Sequence, residues 1–340
     1  MRRAKALPIA MKWTAGKVLD LASGYRGASV LAAAADLELF DSICGGRRTA
    51  GQIARRIRGD RRAVTIILDA LAALGLLKKG GGRYSVPADV ASVLTAGGTD
   101  SVLSMSQHHA NCMRRWAQLA RVARTGRPAV RAPSIRGERR DAAAFIGGMH
   151  DLSSRISPAI VGDIQPLPFT HILDVGGGSG TWTIAFLAAN PVAKATIFDL
   201  PHVIPMARRR LRMRRLDGRV RFVAGDFYRD ALPKGADLAW VSAIVHQNSR
   251  EQNRELFRKV FLALEPGGRI AIRDVVMEES RTAPVAGALF AVNMLVGTPK
   301  GATYTLRELR EDLRLAGFVG ERLVRRGEGN DSVVVARRRG

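Results

Sequence analysis

Residues 172–180 form an apolar run that ends in an acid and a cluster of glycines, and they dictate a strand, a tight loop and a helix start. The run contains Asp174, and only Ser179 interrupts the glycines of residues 176–180. A helix-forming segment, residues 181–189, follows directly. Such a unit brings bare backbone N–H groups and a helix N-terminus up to a ligand, and a Cβ would block both the turn and the ligand's approach. The sequence therefore predicts a site for a nucleotide-like ligand at this loop.

The spacing of the glycines excludes two common nucleotide sites. Gly176, Gly178 and Gly180 give G-x-G-x-G, and Thr181 occupies the position of the third dinucleotide glycine. No Lys-Ser or Lys-Thr follows at the distance that a P-loop requires. Asp174, two residues before the first glycine, is placed to accept a hydrogen bond from a ligand ammonium group or to brace the loop. This arrangement resembles motif I of class I S-adenosylmethionine (SAM)-dependent methyltransferases.

Acids at the ends of the next two predicted strands continue the pattern. Asp199 ends the apolar run 195–198 and is placed to accept both ribose hydroxyls of a nucleoside. Asp226 follows the run 219–223 and is placed to accept from an adenine amino group, while Phe227 covers the ring. A strand-end turn or a helix cap is the common explanation for any one of these acids. Three of them at successive strand ends, in register with one glycine loop, favour SAM.

Two different patterns divide the chain. Beyond residue 168, strand-like and helix-like segments alternate, which predicts a doubly wound, Rossmann-like parallel sheet. Residues 319–324 and 332–336 predict an antiparallel hairpin that closes this sheet. Residues 18–96 are typical of a winged helix, with short helices followed by two strands around a glycine turn. We therefore expect an α/β fold preceded by a mostly helical domain.

A winged helix serves either DNA binding or dimerisation. Arginine pairs such as Arg55-Arg56 favour DNA. The helical faces are nevertheless mostly apolar, as in residues 61–77, where the predicted face includes Leu74. Residues 23–40 are rich in small residues, which is typical of a helix packed against another chain. These two observations favour dimerisation.

Composition excludes several classes of function. The net charge of +24 comes mainly from arginine spread over the whole chain, which is typical of a solvated surface and argues against nucleic acid as the main partner. Cys44 and Cys112 lie far apart without metal-ligand partners at a useful spacing, so we expect no metal and a reducing, cytoplasmic location. The apolar stretch 283–299 is interrupted by proline, glycine and asparagine, which favours a buried pocket-lining segment over a membrane helix.

The most specific segments together identify a family. They are residues 173–180, 198–201, 225–228, 245–246 and 265–269. Over nearly its whole length the chain resembles the dimeric small-molecule O-methyltransferases of plant type, whose bacterial members modify polyketides and other aromatic products of secondary metabolism. The resemblance implies a winged-helix dimerisation domain (1–100), a helical connector contributing to the substrate pocket (101–168) and a SAM-binding catalytic domain (169–340). It also implies a homodimer formed through the N-terminal domain, a small-molecule acceptor, S-adenosyl-L-homocysteine as product, no metal and no membrane.

The resemblance implies catalytic roles for a histidine after the fourth strand and an acid at the end of the fifth. His246 falls on the position of the family's general base, and Asp274 on that of the acid that orients it. A phenol, with a pKa near ~10, is a poor nucleophile at neutral pH, and a histidine can take its proton as the C–O bond forms. The chain departs from the family at two places: Gln247-Asn248 replaces Asp-Trp, and Thr303 or Tyr304 stands in place of a second acid.

The remaining site residues follow from the same resemblance. The cofactor site comprises Asp174, Gly176, Gly178, Asp199, Leu200, Asp226, Phe227 and Ser242. The acceptor pocket comprises Met149, Phe290, Asn293, Met294 and Thr298. For the methionines and Phe290, ordinary core packing is an equally good explanation.

Three alternative functions stay open on the sequence. The same fold could methylate carbon, nitrogen or sulfur, where a base is not always required. The positive charge suggests a nucleic-acid methyltransferase, although the chain has no Asn/Asp-Pro-Pro-Tyr-type motif for a flipped base. A winged-helix regulator that binds SAM as an effector is the third.

Overall fold

A computed structural model describes residues 12–340, and the chain divides into two compact units, Met1–Ala110 and Asn111–Gly340. The elements of the first unit are α1 (Ala15–Ser23), α2 (Tyr25–Asp36), α3 (Leu39–Ile43), β1 (Arg48–Thr49), α4 (Ala50–Ile57), α5 (Arg61–Ala73), β2 (Lys78–Gly80), β3 (Arg83–Ser85) and α6 (Ala88–Leu94). Helix α7 (Leu103–Trp116) contains the point of division.

The first unit has the predicted winged-helix composition. Thr49 caps α4 in a capping box with Gln52, and the strands β1, β3 and β2 form a small antiparallel sheet in that order. Apolar side chains from α3, α4 and α5 fill the core around Tyr84, whose hydroxyl donates to Asp69 at 2.6 Å. The expectation that Leu74 belongs to the apolar face was wrong, because α5 ends at Ala73 and Leu74 is exposed.

The second unit is built on a seven-stranded sheet. Its elements before the last strand of the parallel region are α8 (Leu119–Thr125), α9 (Glu138–Asp163), β4 (His171–Val175), α10 (Thr181–Ala189), β5 (Lys194–Asp199), α11 (Ile204–Met213), β6 (Val220–Ala224), β7 (Ala236–Ser242) and α12 (Arg250–Ala263). The remaining elements are β8 (Leu264–Asp274), β9 (Val276–Met277), α13 (Val285–Gly297), β10 (Tyr304–Thr305), α14 (Leu306–Leu315), β11 (Phe318–Arg325) and β12 (Ser332–Arg338). Short 3₁₀ turns occur at Asp217–Arg219 and Val245–Gln247.

The strand order is β11-β12-β8-β7-β4-β5-β6. All pairs from β8 to β6 are parallel, and β12 and β11 close the sheet as an antiparallel hairpin. The predicted mixed α/β, Rossmann-like fold is confirmed. The chain winds outward in one direction through β4, β5 and β6 and in the other through β7 and β8. Ligands of such sheets bind at the carboxyl ends of the strands where this reversal occurs.

Helices cover both faces of the sheet. Helices α12 and α14 supply Leu256, Phe257 and Leu313 to the core on one face. On the other face α9, α10 and α11 pack around Trp240, whose ring lies 4.9 Å from that of Phe186. Within residues 12–340, no helix is both long and apolar enough to cross a membrane.

Candidate active site

The glycine loop after β4 combines close packing with one open side. Gly176, Gly178 and Gly180 all have positive φ angles, of 64°, 56° and 76°. A Cβ at Gly176 would lie 2.7 Å from Ile244 Cδ1, and one at Gly180 would collide with Leu211. A Cβ at Gly178 would meet no protein atom within 4 Å. The loop therefore needs two glycines for packing, and Gly178 leaves a cradle that a ligand can approach.

The side chain of Asp174 supports this loop from inside the fold. Its carboxylate is buried and accepts a hydrogen bond from Thr183 Oγ1 at 2.7 Å, which ties β4 to the first turn of α10. A Cβ at Gly177 would lie 2.9 Å from Asp174 Cγ, so the loop closes tightly over the acid. Burial raises the pKa of Asp174 to about 7. Of the two roles considered for Asp174, the geometry is that of a brace.

Asp199 joins the end of β5 to the glycine loop. Its Oδ2 accepts from the backbone N–H of Gly178 and its Oδ1 from that of Leu200, both at 2.7 Å. Burial raises its pKa. Each carboxylate oxygen keeps a second lone pair, so the group can still accept from two further donors. The neighbouring Leu200 is exposed.

The loop after β6 lies next to the glycine loop. Asp226 Oδ1 accepts from the backbone N–H of Tyr228 at 2.9 Å. Phe227 Cε1 lies 3.7 Å from the Cβ position of Gly176, and the ring centroids of Phe227 and Tyr228 are 4.5 Å apart. The ends of β4, β5 and β6 thus bring the predicted cofactor residues Asp199, Gly176 and Phe227 into one neighbourhood.

His246 and Asp274 meet at the ends of the neighbouring strands β7 and β8. Asp274 is the last residue of β8, and His246 lies in the 3₁₀ turn after β7. The His246 Nδ1 atom lies 2.8 Å from Asp274 Oδ1, and the backbone N–H of His246 donates to Oδ2 at 3.2 Å. Both side chains are buried. Because the carboxylate can only accept, the network assigns the proton to Nδ1 and leaves Nε2 as an acceptor.

Helix α13 and the segment after it enclose His246. The Phe290 ring packs edge-on against the imidazole, with 4.7 Å between the ring centroids. Thr298 Oγ1 donates to the Met294 carbonyl and accepts from the Gly301 N–H, both at 2.8 Å. A Cβ at Gly301 would lie 2.6 Å from the His246 carbonyl oxygen, so this glycine permits the close approach.

Two other predicted pocket residues are placed differently. Asn293 Oδ1 accepts from the Trp116 indole N–H at 2.9 Å. Met149 lies half-buried on α9, and its part in the pocket stays a prediction.

Ser242 has a partner that the sequence did not indicate. Arg273 is buried, stacks over the Trp182 ring at 4.7 Å and donates to Ser242 Oγ at 2.8 Å. Burial lowers the pKa of Arg273 to about 10, so it stays charged at neutral pH. A lone arginine between apolar strand residues is part of no motif. Only strand pairing brings it next to Ser242.

His150 is a second residue that sequence reasoning missed. Its Nδ1 lies 2.7 Å from Thr181 Oγ1, which in turn lies 2.9 Å from Ser179 Oγ in the glycine loop. Burial, and then the charges of nearby arginines, lower its pKa to about 4, so the ring is neutral. Within residues 12–340, no group of three or more His, Cys, Asp or Glu side chains is arranged to hold a metal ion.

Comparison with known proteins shows the family of this chain. Residues 125–319 match the model of the O-methyltransferase domain, and residues 19–97 match that of the O-methyltransferase dimerisation domain. The chain belongs to the family of SAM-dependent O-methyltransferases that includes the plant-type and polyketide enzymes. SAM is its cofactor, and the predicted family is confirmed.

Individual relatives span nearly the full length of the chain. A 3-hydroxy-5-methyl-1-naphthoate 3-O-methyltransferase from Streptomyces sahachiroi is 32% identical over 93% of this chain and 93% of its own length. The tetracenomycin polyketide synthesis 8-O-methyl transferase TcmO from Streptomyces glaucescens is 28% identical over 95% and 96%. The N,N-dimethyltransferase OxyT from Streptomyces rimosus is 28% identical over 92% of both chains.

Among solved structures, PigF with S-adenosylhomocysteine is similar over 96% of this chain and 100% of its own, with a TM-score of 0.83 and 25% identity. Human N-acetylserotonin methyltransferase in complex with SAM is 24% identical, with a TM-score of 0.82, and shows the same fold over 98% and 100% of the two chains.

Proposed function

We propose that this enzyme methylates a hydroxyl group of an aromatic or polyketide-like small molecule, with His246 as general base and Asp274 as the group that orients it. The observation that carries the proposal is the buried His246–Asp274 pair, in which Nδ1 faces the carboxylate at 2.8 Å. The names of two relatives, a 3-hydroxy-5-methyl-1-naphthoate 3-O-methyltransferase and a tetracenomycin polyketide synthesis 8-O-methyl transferase, support this acceptor class.

The chemistry of this pair suits a phenolic acceptor. A phenol with a pKa near ~10 carries its proton at neutral pH, and a neutral imidazole can remove it as the new bond forms. Asp274 keeps the Nδ1 proton in place, which leaves Nε2 free to accept, and stabilises the imidazolium that results. Bound SAM supplies a sulfonium methyl group that needs no further activation. The protein's remaining task is to hold the two reactants in line.

The cofactor residues would act at three points of the sheet edge. Gly178 offers the open side of the loop, and Asp199 has free lone pairs for the ribose hydroxyls. We assign the adenine to Asp226 and Phe227, which follow β6, the strand next to β5. The full proposed set is Asp174, Gly176, Gly178, Asp199, Leu200, Asp226, Phe227 and Ser242, with Asp174 acting through the loop that it braces.

The acceptor pocket would lie beside Phe290 and the His246 ring. An indole N–H can only donate, so the Trp116 contact fixes Asn293 with its oxygen toward Trp116 and its NH₂ group turned away. This NH₂ can donate to an oxygen of the acceptor. Met149, Met294 and Thr298 complete the proposed lining.

The two ends of the chain have separate proposed roles. We assign dimerisation to residues 1–100 and catalysis to residues 169–340, with Met149 as the contribution of the connector, 101–168, to the pocket. The match to the dimerisation domain supports a homodimer. A small molecule is the expected acceptor. The arginines are spread over the whole sequence, which argues against a nucleic-acid substrate.

Titration calorimetry and one substitution test the proposal. We expect SAM and S-adenosylhomocysteine to bind, and absence of binding by both would contradict the function. His246→Ala should lower kcat on a phenolic acceptor by about 100-fold or more, with partial recovery at high pH, where the phenolate forms unaided. His171→Ala is the matched control, because this histidine lies at the amino end of β4. Wild-type turnover by His246→Ala across neutral pH would remove the base assignment.

An amine acceptor is the second candidate, since the relative OxyT is an N,N-dimethyltransferase. An amine that is already neutral needs no base before attack, so His246→Ala would then retain most of its activity. Mass spectrometry and NMR of the product identify the methylated atom directly.

A further inference from the structure

We propose that the Tyr228 hydroxyl and the Asn248 side chain are positioning groups that couple the adenine side of the cofactor site to His246. The proposal rests on the proposed function, in which Asp226 and Phe227 hold the adenine and His246 is the base. Neither Tyr228 nor Asn248 touches the reacting atoms in this scheme. Both act by setting where the His246 turn lies.

A continuous chain of hydrogen bonds joins the two regions. Tyr228 Oη lies 2.5 Å from Asn248 Oδ1. Asn248 Nδ2 lies 3.0 Å from Asn253 Oδ1. Asn253 Nδ2 lies 3.1 Å from the carbonyl oxygen of Val245, the residue before His246. The chain therefore begins in the loop after β6 and ends in the peptide unit that carries the proposed base.

The direction of every bond in this chain is fixed by its last member. A backbone carbonyl can only accept, so Asn253 must donate its Nδ2 to Val245 and turn its Oδ1 toward Asn248. Asn248 must then donate through Nδ2 and present its own Oδ1 to Tyr228. The Tyr228 hydroxyl is consequently the donor that this arrangement requires, and removing it leaves Asn248 Oδ1 without its partner.

The hydrogen-bond chain is rigid because its two asparagines are buried. Asn248 and Asn253 are both 0% exposed, so water cannot replace a lost partner without rearrangement. The backbone of Asn248 is held as well: its N–H donates to the Val245 carbonyl at 3.3 Å, and its carbonyl accepts from the Tyr304 hydroxyl. Asn248, which replaces the family's tryptophan, and Tyr304, one of the two residues that could stand in place of the second acid, thus both support the His246 turn.

At its other end this chain of hydrogen bonds is joined to the residues that are predicted to bind the adenine. The backbone N–H of Tyr228 donates to Asp226 Oδ1 at 2.9 Å, and its ring lies 4.5 Å from that of Phe227. Lys259 Nζ donates to the carbonyls of Phe227 and Tyr228, at 2.8 and 3.0 Å. Residues 226–228 are therefore held as one unit, and a ligand that fixes Phe227 and Asp226 also fixes Tyr228 and, through Asn248, the His246 turn.

Hydrogen exchange measures this coupling without any acceptor. In the wild-type protein, S-adenosylhomocysteine should slow amide exchange in a peptide covering residues 244–249. In Tyr228→Phe, which removes only the hydroxyl, this protection should be lost, while the Kd for S-adenosylhomocysteine stays within about threefold of the wild-type value, since no proposed ligand group is removed. Equal protection in both proteins would overturn the coupling, and so would a loss of cofactor binding, because the hydroxyl would then act on the cofactor itself.

Kinetics supply the second test. Tyr228→Phe should lower kcat by about fivefold to tenfold, the factor that one neutral hydrogen bond is worth, with little change in KM for SAM. Asn248→Leu removes both the acceptor for Tyr228 and the donor to Asn253 without introducing a charge, so it should lower kcat at least as much. Tyr25→Phe, which removes the hydroxyl of an exposed tyrosine, is the control and should behave as wild type.

A double variant separates this inference from the proposed function. If Tyr228 acts through His246, adding Tyr228→Phe to His246→Ala should cause no further loss of kcat. The same proportional loss in both backgrounds would overturn the inference and leave the base assignment intact. If His246→Ala has wild-type turnover, the base assignment fails, and the exchange experiment still decides whether the two regions are coupled.

Discussion

The two halves of the sheet's carboxyl edge are built in different ways. The half formed by β4, β5 and β6 relies on backbone groups: glycines with positive φ and the N–H of Gly178 held by Asp199. The half formed by β7 and β8 relies on side chains that approach from distant parts of the sequence, such as His246, Asp274 and Phe290.

Because of this difference, the two halves are sensitive to different substitutions. A backbone-built half depends on space and loop conformation, so an added Cβ is its most damaging change. A side-chain-built half depends on the direction of particular hydrogen bonds, so an isosteric change of one acceptor is enough to disable it. We expect substitutions in the first half to act on cofactor affinity and those in the second to act on turnover.

The largest effect is expected from Asp274→Asn. The amide would present an NH₂ donor to Nδ1, so the imidazole proton would move to Nε2 and the ring could no longer accept from the acceptor hydroxyl. We expect kcat to fall by about 100-fold or more, while titration calorimetry should show an unchanged affinity for SAM. A large loss of SAM affinity with normal kcat would instead show that Asp274 acts on the cofactor, as we expect for residues of the half formed by β4, β5 and β6.

The next largest effect is expected from Gly178→Ala. The new Cβ would meet no protein atom but would fill the cradle, and the φ of 56° is strained for alanine. We expect the Kd for SAM to rise by about tenfold or more, equivalent to about 1.4 kcal/mol, with kcat at saturating SAM much less affected.

Gly75→Ala is the matched control for that change. Gly75 also has a positive φ, 78°, and open space at its Cβ position, but it follows α5 in the first unit. The backbone strain is therefore similar, and the affinity for SAM should not change. Equal losses of affinity in both variants would show that strain, and not the filled cradle, causes the effect.

The smallest effect on activity is expected from Asp174→Asn. This substitution instead changes how the free energy of unfolding depends on pH. Burial raises the pKa of Asp174 from its ordinary value of 3.8 to about 7. Between these values the folded chain keeps a proton that the unfolded chain releases, so this group lowers the free energy of unfolding as pH rises from about 4 to 7. Asparagine does not titrate and can still accept from Thr183.

Urea unfolding at pH 4.5 and pH 7.5, which lie roughly at the two ends of that window, measures the effect. We expect Asp174→Asn to lose less stability than wild type over this interval, by on the order of 2 kcal/mol. Asp20→Asn, at an exposed acid, is the control. Parallel pH profiles for wild type and Asp174→Asn would contradict the burial argument.

Much of the fold was predictable from local sequence. The strand, glycine loop and helix around Gly176 appear as predicted, and so does the closing hairpin. These features depend on residues within a few positions of each other. The wrong expectation, Leu74, concerned a helix end, which backbone hydrogen bonds decide and the apolar pattern does not.

Local sequence was enough to predict the glycine loop and the strand ends at which we propose that the cofactor binds, because a strand, a run of glycines and an acid at each following strand end are contiguous motifs with direct backbone consequences. Only the tertiary structure brought Arg273 to Ser242, His150 to Thr181 and Tyr228 to Asn248. The partners in these three pairs are separated by twenty or more residues, and none of the pairs follows from a residue type or spacing. Strand order and helix packing place them side by side. For that reason these three contacts, and the hydrogen-bond chain that leads from Tyr228 to the Val245 carbonyl, are visible only in the folded protein.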